Sequence, residues 1–178
     1  MKTLLCSLAL VTAASLAQAQ DFVGNLNGAQ EAVDPSTRSG SGIFNLTLTG
    51  TTITISGDFS GLSGTLRDAH IHSSAPAGVN AGVLYPLLSF ITPGADNKSG
   101  TISATINLVD NANNRGFDVA TQLGQLNGGL WYFNIHSNPT FTGGEIRGQI
   151  LPVPEPSTLA LGAMGLGSLL LWGARRRR

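Results

Sequence analysis

Apolar and polar residues alternate with a period of two along much of the chain. Phe44, Leu46 and Leu48 alternate with Asn45, Thr47 and Thr49, and the rhythm resumes at Ile53, Ile55 and Phe59 beyond Gly50-Thr51. Successive side chains of a strand point to opposite faces, so this stretch predicts a half-buried β-hairpin. Ile102, Ala104, Ile106 and Leu108 repeat the pattern, as do Trp131, Phe133 and Ile135, and then Ile146, Gly148 and Ile150. Shorter runs at 22–26, 67–72 and 82–88 complete the set, with Gly, Asn, Asp, Pro and Ser between them. The pattern predicts an all-β fold, a single Greek-key sandwich or barrel of about eight antiparallel strands. One helical signal interrupts it: Asp118 stands as an N-cap before Val119, Leu123 and Leu126.

Both ends depart from this rhythm. The first twenty residues read MKTLLCSLALVTAASLAQAQ, a positive Lys2, an apolar run and a small-x-small Ala17-Gln18-Ala19. That order predicts a signal peptide over 1–19, cut by signal peptidase so that the mature chain starts at Gln20. The apolar run falls short of the ~20 residues a membrane span needs. At the other end Pro154-Glu155-Pro156 breaks regular structure, residues 158–174 carry no charge, and Arg175 to Arg178 close the chain. A short transmembrane helix over 158–174 with its arginine tail in the cytoplasm follows from the positive-inside rule. The stretch from Val153, Pro154, Glu155, Pro156 and Ser157 to Arg178 resembles the PEP-CTERM sorting signal of Gram-negative bacteria. That resemblance implies an exosortase as processing partner, a transient stay in the inner membrane, and delivery to the cell surface or an exopolysaccharide matrix. A permanent C-terminal anchor is the alternative.

The expected organisation is therefore 1–19 signal, 20–152 mature domain and 153–178 sorting signal. Within the 178 residues the formal charge is zero, but the balance changes once the ends are set aside. The middle keeps five basic and nine acidic side chains, a charge of −4, which argues against nucleic-acid partners. The single cysteine, Cys6, lies in the signal peptide, so the exported domain has neither disulfide nor thiol chemistry.

Candidate chemistry gathers on the histidines. In a strand, His70 and His72 share a face opposite Ala69 and Ile71, and His136 shares a face with Tyr132 and Asn134. On the last strand, Glu145 and Arg147 oppose Ile146 and Ile150. If these strands adjoin, His70, His72, His136, Glu145 and Arg147 form one polar patch. Three histidines from two strands suit copper or zinc and leave a position open for water or substrate. Ordinary hydrogen bonding to Glu145, Asn134 or the backbone, with no metal, is the competing reading. Glu145 with Arg147 two positions away predicts an ion pair, which would keep the carboxylate ionised and unsuited to general-acid work. No nucleophile elbow or phosphate-cradling loop is present, and no catalytic residue is assigned.

The segments GAQEAV (28–33), GLSG (61–64), AHIH (69–72), WYFNIHSNP (131–139) and GGEIRGQI (143–150) occur in this order. Together they resemble the CHRD domain, across residues 22–151. The resemblance carries over Glu31, His70, His72, His136, Glu145 and Arg147, and it implies an exported β domain without a defined reaction. The favoured function is a non-enzymatic binding or structural module outside the cell. The alternative is a copper or zinc enzyme or metal-binding protein. Its histidine strands are similar to those of copper-zinc superoxide dismutase, without that enzyme's further histidines or disulfide.

Overall fold

The computed structural model describes residues 19–34 and 37–154. Residues 1–18 of the predicted signal peptide, Ala17 among them, lie outside the described residues, while Ala19 is the first described residue and is exposed. Glu155, Pro156, Ser157, the helix expected over 158–174 and the arginine tail also lie outside them. Among the described residues no helix is long and apolar enough to cross a membrane.

Nine antiparallel strands form one sheet: β1 Gln20–Asn27, β2 Ser41–Thr49, β3 Thr52–Ser60, β4 Thr65–Ser73, β5 Gly82–Pro86, β6 Ile91–Pro93, β7 Gly100–Asn107, β8 Tyr132–Asn138 and β9 Ile146–Pro152. Their spatial order is β5-β4-β8-β9-β1-β2-β3-β7-β6, and the sheet curls into a half-barrel. The all-β expectation holds, and the predicted hairpin is β2–β3, closed by the Thr49–Thr52 pair. The ninth strand, β6, is three residues long and ends in proline, too short to give a periodic signal.

Curling brings the apolar faces of distant strands together. Phe44 on β2 meets the ring of Phe133 on β8 edge-on, at 5.1 Å between centroids. Both rings are fully buried, each contributing about 1.5–3 kcal/mol by removal from water. Phe133 has room because β1 carries Gly24 there; a Cβ at that position would lie 2.6 Å from the ring. The helix α1, Val119–Asn127, starts where the sequence places it, with the Asp118 side chain accepting from the Thr121 N–H. Gln125 on this helix accepts from the Ser73 hydroxyl at 2.6 Å, which pins the end of β4 immediately after His72.

The strand order places β4, β8 and β9 side by side. The register opposes His72 to Tyr132, His70 to Asn134 and Asp68 to His136, and then Asn134 to Arg147. The face opposite the apolar core is therefore one continuous polar surface across three strands. It is also covered: Tyr132, Asn134, Arg147 and Gln149 are all buried. Pro76 and Ala75 accept from Arg147 and Gln149 respectively, and Glu31 reaches Asn134 from the chain after β1.

Candidate metal centre

His70, His72 and His136 converge. One ring nitrogen from each lies within 4.8 Å of the other two. His70 and His72 are two positions apart on β4, and His136 comes from the neighbouring β8, as strand parity requires. The pairing of β4 with β5 shifts by one residue between Ile71 and His72, with Leu84 of β5 as the extra residue, while β4 stays in register with β8 through His72.

Partners outside the cluster decide which nitrogen of each ring carries the proton. His72 Nδ1 lies 2.9 Å from the Ala81 carbonyl, and His136 Nδ1 lies 3.0 Å from the Thr142 carbonyl. A carbonyl only accepts, so both Nδ1 atoms must donate. His70 Nε2 faces the Asp68 carboxylate at 3.1 Å, where it too donates. The remaining nitrogens, His72 Nε2, His136 Nε2 and His70 Nδ1, are then bare lone pairs. Two of them, His70 Nδ1 and His136 Nε2, stand 3.0 Å apart, a contact that two lone pairs hold only with a proton or a cation between them. His72 Nε2 is buried with no hydrogen-bond partner among the described residues. Three inward lone pairs, each fixed by an outer acceptor, are the donor arrangement of a metal-binding histidine set. Zinc–nitrogen bonds of about 2.0–2.1 Å place tetrahedral donors roughly 3.3 Å apart. The His70–His136 pair stands near that at 3.0 Å, and the three donors together lie within 4.8 Å, so binding would draw His72 inward.

Burial favours the neutral rings that a metal needs. It lowers the His72 pKa to about 4, against the Ala81 hydrogen bond, with His70, His136 and Arg147 adding like-charge repulsion. His136 is lowered for the same first reason. In the unfolded chain His72 protonates near 6.5, whereas the folded domain resists down to about 4. The metal-free domain is therefore expected to be most stable above pH 6.5 and to lose on the order of 3 kcal/mol as pH falls toward 4. Thermal melts across this range check it, and His72→Gln should flatten the slope. A wild-type slope no steeper than the variant's would count against the assignment.

Two other candidates sit elsewhere. Glu145 does not converge with the histidines. Its Oε1 accepts from the Ser63 N–H at 2.6 Å and hydroxyl at 2.8 Å, and its Oε2 from the Ser137 hydroxyl. Ser137 projects opposite His136. The reason is that β9 begins at Ile146, and the chain enters it through Gly144 at φ 134°, so strand parity does not extend back to Glu145. Nor does Glu145 pair with Arg147. The Arg147 guanidinium instead lies 3.5 Å from the centroid of the Tyr132 ring and donates to the Pro76 carbonyl at 3.2 Å. Burial pulls its pKa down, and Tyr132 and Glu31 pull it back up.

Glu31 lies beside this group, accepting from Asn134 Nδ2 at 2.6 Å; burial raises its pKa against that bond. Gly144 makes room for the contact, because a Cβ there would lie 2.7 Å from Asn134 Oδ1 and 2.8 Å from Glu31 Oε1. Sequence reasoning did not assign Asp68, Tyr132 or the Ala81 and Thr142 carbonyls to the site. Parity puts Asp68 and Tyr132 on the histidine face. The two carbonyls belong to loops, where no periodic signal exists.

Fold and cluster together define a single-sheet antiparallel β domain with three histidines gathered on its covered polar face. Sequence comparison gives the family: the CHRD domain model matches residues 22–150, and the PEP-CTERM protein-sorting motif matches 152–178. The chain belongs to the CHRD domain family and ends in a sorting motif of the PEP-CTERM type, so it is an exported protein sorted by an exosortase. No curated protein matches it.

Proposed function

We propose that the mature domain is a non-enzymatic surface or matrix module that binds one copper or zinc ion through His70, His72 and His136. The observation that carries the reading is the convergence of three ring nitrogens whose outer nitrogens are already committed to acceptors. An all-imidazole donor set suits these two metals over magnesium or calcium, which prefer oxygen. A metal-dependent enzyme would use the same three ligands and an open position. Binding is preferred because, among the described residues, the carboxylates near the cluster are each engaged: Asp68 by His70, Glu31 by Asn134, and Glu145 by Ser63 and Ser137. Elemental analysis of untagged domain, purified without chelator, tests the proposal. About one equivalent of copper or zinc per chain is expected, and substoichiometric traces of both after reconstitution and desalting would overturn it.

The sorting steps belong to the same proposal: signal peptide 1–19, mature domain 20–152, sorting signal 153–178, with Arg175 to Arg178 cytoplasmic before cleavage. The domain leaves little slack before the motif, since β9 runs to Pro152 and the Val153 N–H still donates to the Asp21 carbonyl at 2.8 Å. Mass spectrometry of released protein should find a C-terminus between Pro154 and Ser157. Mature material ending at Arg178 would instead mean a permanent anchor.

A further inference from the structure

We infer that Tyr132 is the positioning residue that fixes the plane and donor atom of His72, a reading that rests on the metal site proposed above. The two rings are stacked, 4.8 Å between centroids and 3° from parallel. β8 lies between β4 and β9, so the other face of Tyr132 is available to Arg147, whose guanidinium carbon sits 3.5 Å from the ring centroid. The phenol is held between an imidazole and a guanidinium, and its plane sets the imidazole's.

A second connection runs through the backbone. The Tyr132 hydroxyl accepts from the Ala81 N–H at 2.9 Å, and the carbonyl of the same residue accepts from His72 Nδ1 at 2.9 Å. Tyr132 therefore anchors the residue that commits Nδ1 to donation and leaves Nε2 as the lone pair. Among the described residues no carboxylate orients His72, whereas His70 has Asp68. The stack and the Ala81 residue take over that role. His136 is oriented separately, through the Thr142 carbonyl. Tyr132 thus acts on one ligand of the three, and its loss should deform the site without emptying the other two donors.

Cupric ion titrated into the metal-free mature domain gives the test, read as affinity by competition with a chelator and as geometry by electron paramagnetic resonance. Tyr132→Phe keeps the stack and loses the hydroxyl; Tyr132→Leu loses both. Losing a group that orients a ligand typically weakens binding about 10–100-fold. We expect roughly tenfold for Tyr132→Phe and roughly a hundredfold for Tyr132→Leu, each with a shifted copper spectrum. Both variants binding within twofold of wild type with superimposable spectra would overturn the inference. If Tyr132→Leu does not fold, Tyr132→Phe decides by the same criterion. A wild-type domain that binds no cupric ion overturns the metal reading itself, which separates the two failures.

Discussion

Replacing His72 with alanine is expected to weaken copper or zinc binding at least ~100-fold, the largest loss of any single substitution at the cluster. The figure is a lower bound, since removing a group that merely orients a ligand already costs about 10–100-fold. His72 outranks its neighbours for a structural reason. Its Nε2 is buried and, among the described residues, has no partner, so none of them competes with the metal for that lone pair. His70 Nδ1 and His136 Nε2 face each other at 3.0 Å and can share a proton in the metal-free state. Loading the wild-type domain at a hundred times its dissociation constant should stabilise it by about 2.7 kcal/mol, a rise of roughly 10 °C in melting midpoint. His72→Ala should show almost none of this rise while keeping its metal-free midpoint within a few degrees. A calorimetric titration and a melt with and without metal read both quantities. A variant that still gains the full midpoint shift would remove His72 from the site.

How much of this was legible in the sequence depends on which residues obey the strand period. On β4 and β8 the period of two put Ala69, Ile71, Phe133 and Ile135 in the core and the three histidines together on the other side. That inference needs only the pleat, which every strand has. Adjacency of β4 and β8 was not legible, because strand order is set by long-range packing such as Phe44 against Phe133. Nor was the covering of the polar face. It comes from Glu31, Pro76, Ala81 and Thr142, which lie in connections with no repeat to read. Cover is what turns three polar strand residues into a low-dielectric cluster in which burial lowers the pKa values of His72 and His136. The period misleads only where it is extended past a strand's end, as it was at Glu145.

Glu145→Ala is expected to destabilise the domain by roughly 3–5 kcal/mol, out of the 5–15 kcal/mol typical of a folded domain. The carboxylate is fully buried and accepts from three donors on two segments, Ser63 before β4 and Ser137 on β8. It therefore ties the β3–β4 connection to the strand pair that carries the histidines. Removing it strands the Ser63 N–H and two hydroxyls, and buried donors left without partners cost about 1–3 kcal/mol each before any relaxation. Glu145→Gln separates charge from shape. Its amide oxygen can still accept from Ser63, and its NH2 can donate to Ser137, whose hydroxyl accepts as well as donates. The expected loss is about 1–2 kcal/mol, with metal stoichiometry unchanged because no histidine touches Glu145. Urea denaturation of the metal-free domain gives the energies, and elemental analysis of the glutamine variant gives the stoichiometry. If Glu145→Ala proved as stable as wild type while metal was lost, the carboxylate would belong to the histidine cluster after all. The arrangement of Ser63 and Ser137 around it argues the opposite: Glu145 holds the scaffold on which the three histidines meet.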